Sequence, residues 1–146
     1  MEDLYREVIL DHYKAPRNKR AIAAPTCSSH GNNPLCGDEI TVYVNVEGGT
    51  VAEAAFDGQG CSISQASASM MTEAAVGRSV DEVHGLAKEF RSMMAGESDP
   101  SEEALGDLIA LQGVVRYPVR IKCAVLAWDT LEQALQQGEA SGAAPH

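Results

Sequence analysis

The four cysteines, at positions 27, 36, 61 and 123, are the residues of this chain best suited to chemistry. No two of them form a Cys-x-x-Cys pair, so spacing alone predicts neither a zinc ribbon nor a thioredoxin-type redox site. Cys61 follows two glycines at the predicted start of a helix, and Cys123 is predicted in the first turn of the last helix. A helix N-terminus stabilises an anion, and the thiolate is the form that attacks electrophiles or ligates metals. These two thiols are therefore candidate nucleophiles or ligands, with a small buried apolar role as the alternative.

Two other positions have settings that favour the same chemistry. Cys36 lies in a predicted tight turn, and Asp38 follows two residues later, so both side chains could point to one side of the loop. Arg120 and Lys122 flank Cys123, and their positive charges favour its thiolate. Arg120 is also a candidate to hold Asp38 or a released sulfur anion, although plain surface charge is the simpler interpretation.

Four further polar features of the sequence are candidates for other roles. Cys27 stands apart from the other motifs and is interpreted as a spare thiol. His30, six residues before Cys36, is the rival for a fourth ligand position. His12 falls on the apolar face of the first predicted helix, which favours a packed histidine. The basic segment 16–20 (PRNKR) is a candidate contact for an acidic partner, with a solvated surface as the alternative.

Composition restricts the class of protein. The chain has 146 residues, with 21 acidic side chains against 11 Lys and Arg and a formal charge of −10. Such a surface repels phosphate backbones, so we expect no nucleic-acid partner. No apolar run approaches the roughly 18 residues of a membrane span, and the first residues lack a basic secretory signal. We therefore expect a cytoplasmic, membrane-free domain whose cysteines are reduced.

Hydrophobic periodicity predicts the elements that must position these residues. One helical face appears before Pro16, and residues 21–38 are predicted as loop. Alternating residues predict a hairpin of strands 40–46 and 51–56, and a third strand near 59–64 is a weaker prediction. Capping boxes at Ser62 and Ser79 predict the next two helices. A shorter helix opens at 98–101, residues 113–118 connect, and the last helix begins near Pro118.

The predicted architecture is α+β: a small antiparallel sheet of about three strands packed against about five helices. Residues 1–138 are predicted to form a single domain, and residues 139–146 a disordered tail.

Three blocks of the sequence carry a resemblance to a known family. They are residues 33–38 (NPLCGD), residues 58–72 (GQGCSISQASASMMT) and residues 120–128 (RIKCAVLAW). In this order they resemble the SufU/IscU iron–sulfur cluster assembly family, also known from the N-terminal part of NifU. The opening helix and residues 16–18 (PRN) agree with that family, so the resemblance spans most of the chain.

Within this family the chain is similar to the SufU branch. IscU-type chains have His immediately before the third motif cysteine, where this chain has Lys122, and they have a shorter segment between the second and third cysteines. In the SufU branch the resemblance implies that Zn²⁺ is bound by four residues: Cys36, Asp38, Cys61 and Cys123.

The resemblance also implies a function. The chain would accept persulfide sulfur on Cys36 from a SufS-type cysteine desulfurase and pass it to other SUF assembly proteins. The alternative is a scaffold on which a [2Fe–2S] cluster is assembled by the same four residues, since thiolates with one carboxylate accommodate zinc or iron. A purely structural zinc module is a third alternative. Whether the transfer activity makes the protein an enzyme in its own right stays open.

Overall fold

The structure is a computed structural model that describes residues 3–34, 37–97 and 105–140. Within these ranges it confirms the predicted α+β architecture, with a three-stranded antiparallel sheet, four α-helices and one 3₁₀ helix. The strands are β1 (Cys27–Asn33), β2 (Asp38–Glu47) and β3 (Thr50–Gln59). The helices are α1 (Asp3–Lys14), α2 (Ser62–Ala75), α3 (Val80–Met94), the 3₁₀ helix η1 (Gly106–Arg116) and α4 (Pro118–Ala140).

The hairpin of β2 and β3 forms as predicted. Ile40, Val42 and Val44 alternate with more exposed residues and turn one face of β2 into the core. Gly48 and Gly49 make the turn with positive φ angles of 59° and 78°, which glycine adopts without steric cost.

The third strand differs from the prediction. It is β1, which pairs antiparallel with β2 in the segment that was predicted as loop. Its sequence, CSSHGNN, lacks the apolar alternation typical of a strand, so its pairing depends on β2 and on packing against α4. The prediction of a strand near 59–64 is wrong, because β3 ends at Gln59 and α2 begins at Ser62.

Helix α2 is the central element of the fold. Its residues from Ile63 to Thr72 are all buried, between α1, α4 and the sheet. Cys61, rather than the predicted Ser62, is its N-cap. The capping box of Ser79 and Glu82 at the start of α3 is confirmed.

The later helices partly differ from the prediction. The shorter helix was expected from 98–101, and residues 98–104 lie outside the described residues. The segment predicted as connector, 113–118, is helical as far as Arg116, because η1 buries Leu108, Leu111 and Val114. Helix α4 begins at Pro118 as predicted and reaches Ala140, two residues into the predicted tail, while residues 141–146 lie outside the described part.

Helix α3 packs against α4 and η1, and α4 also packs against β1 and β2. Phe90 and Trp128 stack with ring centroids 5.1 Å apart, and both side chains are fully buried. Arg91 binds Asp129 through two nitrogens, at 2.6 and 3.1 Å, at the surface above these rings. Among the described residues, no helix is both long enough and apolar enough to cross a bilayer.

Candidate metal centre

The fold brings three of the predicted site residues together. Asp38 begins β2, Cys61 caps α2 and Cys123 lies on α4, and one ligand atom from each falls within 4.8 Å of the other two. In the described part of the chain, this is the one group of three or more such residues that could hold a metal ion. Asp38 and Cys123 are buried, with 1% and 0% of their surface exposed, and Cys61 is half-buried. Cys36, the fourth predicted ligand, lies outside the described residues.

Asp38 is held in place by the start of α2. The backbone N–H of Cys61 donates to Asp38 Oδ1 at 2.8 Å, while Oδ2 lies 3.8 Å from Cys61 Sγ. One carboxylate oxygen is thus engaged by backbone, and the other faces the thiols. Because Asp38 is fixed at a strand end, its carboxylate is oriented before any cation arrives.

The glycines before Cys61 make the close contact between Asp38 and the start of α2 possible. A Cβ on Gly60 would overlap Asp38 Oδ1 and lie 2.8 Å from Ser64 Oγ, and a Cβ on Gly58 would overlap the carbonyl oxygen of Glu39. Glycine is needed at both positions because no side chain fits between the end of β3 and the start of β2.

Cys61 lies where the sequence predicts it, at the start of a helix. Its Sγ accepts a hydrogen bond from the backbone N–H of Ser64 at 3.5 Å, in the geometry of an N-cap residue. This donor and the positive end of the α2 dipole favour negative charge on the sulfur.

Cys123 occupies a different position from the predicted one. It is the sixth residue of α4 and therefore lies in the second turn, where the helix dipole has little effect. Its Sγ is 3.6 Å from the carbonyl oxygen of Val119, and the side-chain amide of Asn33 donates to it at 3.9 Å. Arg120 and Lys122 are exposed beside it.

Asn33 is a site residue that the sequence analysis missed. It ends β1 directly opposite Asp38 and is 7% exposed. Its position within the NPLCGD block was a signal, but its segment was predicted as loop, so nothing indicated that its side chain turns towards α4.

The remaining candidates lie elsewhere. His30 is exposed on β1, with Nδ1 2.9 Å from Thr41 Oγ1, and does not belong to the group of three. Cys27 pairs with Val44 at the other end of β1, and burial raises the pKa of its thiol. Both observations agree with the interpretation of Cys27 as a spare thiol and disfavour His30 as the fourth ligand.

The basic segment 16–20 is engaged in the protein's own ion pairs. Arg17 binds Asp11 at 2.6 Å and Arg20 binds Glu53 at 2.5 Å. The hydrogen bond and the positive charge of Arg17 lower the pKa of Asp11. Arg20 lowers the pKa of Glu53 in the same way, and a hydrogen bond from Asn45 adds to the effect. Of the three basic residues in this segment, Arg17 and Arg20 are thus held in the described ion pairs, and Lys19 is exposed. These pairs support the solvated-surface interpretation.

His12 is a packed histidine, as predicted, and joins three elements. It is 1% exposed, with Nδ1 2.8 Å from Ser69 Oγ on α2 and Nε2 3.4 Å from Asp107 Oδ2 on η1. The backbone N–H of Arg17 also donates to Ser69 Oγ at 2.9 Å. Tyr13, the next residue of α1, is 45% exposed and therefore does not share the burial of His12.

The chemistry of the donor set fits a soft divalent cation. The candidate ligands are two thiols and a carboxylate, and all three carry negative charge when they are ionised. Ionised and out of water, they repel one another strongly, and a bound cation removes that repulsion. Sulfur-rich ligands select zinc or iron over magnesium or calcium. The arrangement can therefore hold a transition metal with one further ligand.

Comparisons with known proteins show the family of this chain. Residues 4–141 match the family described as the NifU-like N-terminal domain. The chain is 45% identical to the zinc-dependent sulfurtransferase SufU of Bacillus subtilis (strain 168), over 95% of this chain and 94% of that protein. It is 41% identical to the iron–sulfur cluster assembly scaffold protein IscU of Thermotoga maritima, over 92% and 94% of the two chains.

Solved structures show the same fold. FiSufU of Fervidobacterium islandicum AW-1 superposes with a TM-score of 0.83 and 37% identity. That likeness covers 88% of this chain and 93% of FiSufU. The N-terminal domain of a NifU-like protein from Brucella abortus superposes with a TM-score of 0.87 and 25% identity, over 94% and 96% of the two chains.

Proposed function

Because this chain belongs to the family of NifU-like N-terminal domains, we propose that it is a zinc-dependent sulfurtransferase of SUF-type iron–sulfur cluster assembly. It accepts persulfide sulfur from a SufS-type cysteine desulfurase and passes it to other SUF assembly proteins. The observation that carries the proposal is the group of Asp38, Cys61 and Cys123 in a chain 45% identical to a zinc-dependent sulfurtransferase.

Zn²⁺ would be held by Asp38, Cys61, Cys123 and, as the fourth ligand, Cys36. The first three already lie together, and Cys36 is two residues before Asp38 in the chain segment that joins β1 to β2. When bound, zinc would hold the thiols as thiolates and protect them from oxidation. The buried carboxylate and the buried Cys123 suit a permanent role in holding the metal.

Cys36 is proposed as the residue that accepts sulfur. Pro34 and Gly37, which lie on either side of it in the sequence, are both exposed, whereas Cys123 is fully buried within α4. Cys61 is tied to the start of α2 by Ser64 and Asp38. A partner protein can therefore reach the described ends of this segment, Pro34 and Gly37, more easily than the thiols of Cys61 and Cys123.

The transfer is a thiol–disulfide type of exchange. The Cys36 thiolate attacks the outer sulfur of the desulfurase persulfide, forming a new S–S bond on Cys36. The S–S bond of the partner breaks, and its cysteine leaves as a thiolate. One sulfur atom moves, and no external oxidant or reductant is consumed. Arg120, exposed in the first turn of α4, would steady the sulfur anion during the exchange.

A scaffold for a [2Fe–2S] cluster is the second candidate function. The 41% identity to an IscU scaffold protein supports it, and the same donor set accommodates iron. Lys122 replaces the histidine of IscU-type chains, which favours the sulfurtransferase. Metal analysis with a visible spectrum separates the two: colourless protein with one zinc per chain, or coloured protein with iron and sulfide.

The test of the leading function is desulfurase stimulation. Adding the zinc-loaded protein to a SufS-type desulfurase and cysteine should raise the rate of sulfur release. Mass spectrometry should show Cys36 heavier by one sulfur atom. An unchanged rate would favour a structural zinc module. Sulfur found on Cys123 alone would show that Cys123, rather than Cys36, is the acceptor.

Variants sharpen this test. Asp38→Ala and Cys36→Ser should each abolish stimulation. Cys27→Ser is the matched control, because Cys27 lies on β1 outside the ligand group and should be dispensable. Full stimulation by either site variant would reject the proposed mechanism.

A further inference from the structure

The sulfur of Cys123 has two polar neighbours of opposite character. One is the carbonyl oxygen of Val119, 3.6 Å away, which can only accept a hydrogen bond. The other is the side-chain amide nitrogen of Asn33, 3.9 Å away, which can only donate. A metal-bound cysteine carries negative charge on its sulfur, so the carbonyl then repels it and the amide attracts it.

Burial makes this contact more important than an exposed one. Cys123 is fully buried and Asn33 is 7% exposed, so little water can replace the amide. A buried charged group needs hydrogen-bond donors to compensate for lost hydration. Cys61 has such a donor in the backbone N–H of Ser64, and Asp38 has one in the backbone N–H of Cys61. Asn33 provides the equivalent for the third ligand.

The sheet places Asn33 in register with the site. Asn33 and Asp38 are directly opposite each other in the antiparallel β1–β2 pair, so their side chains lie on the same face. Asn32, one residue earlier, belongs to the opposite face and is exposed. This single residue pair of the sheet therefore contains a candidate metal ligand, Asp38, and the hydrogen-bond donor to another candidate ligand, Cys123.

We propose that Asn33 is a positioning residue for the metal centre. Its side-chain amide donates to Cys123 Sγ, directs that sulfur towards the metal and stabilises the charge of the coordinated thiolate. The inference rests on the proposed function, because it takes the group of Asp38, Cys61 and Cys123 to hold a metal. Loss of a hydrogen bond between a metal ligand and a residue that supports it typically weakens metal binding by about 10- to 100-fold.

Zinc affinity tests the inference through competition with a colorimetric chelator. Asn33→Leu removes the donor, and Asn33→Asp replaces it by an acceptor of nearly the same shape. Both should bind zinc about 10- to 100-fold more weakly than wild type. Asn32→Leu and Asn32→Asp are matched controls on the exposed face and should keep wild-type affinity. Circular dichroism of the metal-free proteins shows which variants fold, and Asn33→Asp decides if Asn33→Leu does not fold.

Cobalt provides a readout that a merely structural role would not change. With Co²⁺ in place of zinc, loss of the hydrogen bond makes the sulfur more electron-rich. The sulfur-to-cobalt charge-transfer band should therefore move to lower energy in Asn33→Leu and stay in place in Asn32→Leu. A folded Asn33 variant with wild-type zinc affinity and an unmoved band would overturn the role of Asn33 and leave the proposed function intact. Wild-type protein that binds no zinc would overturn both the role of Asn33 and the proposed function.

Discussion

Two buried polar clusters lie along α2, and they are built in opposite ways. Near the start of the helix, Asp38 and Cys123 converge on the N-cap Cys61. Two to three turns further along, His12 and Asp107 converge on Ser69. Each cluster joins residues from three separate elements, and each contains a fully buried member.

The clusters differ in how their charges and hydrogen bonds are matched. In the His12 cluster donors meet acceptors: the Arg17 N–H donates to Ser69, and the imidazole has both a hydroxyl and a carboxylate within reach. That cluster is complete with the protein's own groups. In the other cluster the functional atoms are two sulfurs and a carboxylate, which cannot neutralise one another once ionised.

Both clusters have a fully buried member, so burial does not separate a structural cluster from a functional one. The charges of their side chains do. A cluster whose charges are matched stabilises the fold without a ligand, whereas two thiolates and a carboxylate held together gain stability from a bound cation. We therefore expect the two clusters to respond in opposite ways to metal and to mutation.

Metal removal should produce the largest effect. Zinc that binds only the native state, at a free concentration 1,000-fold above its Kd, stabilises it by about 4.1 kcal/mol. For a chain of this size this corresponds to a fall in Tm of roughly 8–16 °C on chelation, measured by differential scanning calorimetry. Equal Tm values with and without chelator would show that the metal cluster is as self-sufficient as the His12 cluster.

Gly60→Ala should damage the metal cluster alone. The new Cβ overlaps Asp38 Oδ1, so the carboxylate must leave its position. Zinc affinity, measured by chelator competition, should fall at least ~100-fold, which is about 2.8 kcal/mol. Gly85→Ala is the control, because it lies exposed in α3 with open space around it and should stabilise the fold by about 0.5–1 kcal/mol. Unchanged zinc affinity in Gly60→Ala would show that Asp38 is not a ligand.

Ser69→Ala should damage the His12 cluster alone. The change removes one oxygen and leaves the Arg17 N–H and His12 Nδ1 without this partner. The free energy of unfolding of the metal-free protein in urea should fall by about 1–2 kcal/mol, with zinc affinity unchanged. Ser92→Ala, half-exposed on α3, is the matched control and should stay within about 0.5 kcal/mol of wild type. Weaker zinc binding by Ser69→Ala would contradict the independence of the two clusters.

Arg20→Gln should give the smallest effect, because its partner Glu53 is solvated. Arg20, helped by Asn45, lowers the folded-state pKa of Glu53 below its ordinary value of 4.5. Stability from this pair is present above the unfolded-state pKa and is lost as pH falls through the folded-state pKa. In Arg20→Gln the pKa of Glu53 should rise, and the loss of stability between neutral and acidic pH should become shallower.

Titration of the Glu53 carboxyl by NMR, with urea unfolding at each pH, measures both quantities for Arg20→Gln. Lys88→Gln, an exposed change on α3, should leave the titration unchanged. A Glu53 pKa that does not move in Arg20→Gln would show that the ion pair does not form in solution.

Much of the fold was predictable because its patterns are local. The alternation around Val42 and Val44 predicts β2, the glycines at 48 and 49 predict the turn, and the capping box at Ser79 predicts α3. Strand β1 was not predictable, because a strand without apolar alternation is stabilised by its neighbours rather than by its own residues. The segment 106–116 was misjudged for a similar reason, since tertiary packing decides whether its apolar residues form a 3₁₀ helix.

The sequence by itself determined the class of fold and the family resemblance, and that resemblance implied which residues are candidate metal ligands. Fold class and resemblance follow from residue types and short-range patterns, which can be read without coordinates. The tertiary structure alone decided that Asp38, Cys61 and Cys123 meet, that Cys123 sits in the second turn of α4 and that Asn33 reaches its sulfur. Those contacts join residues far apart in the chain, and their distances depend on how the sheet, α2 and α4 pack rather than on any local pattern.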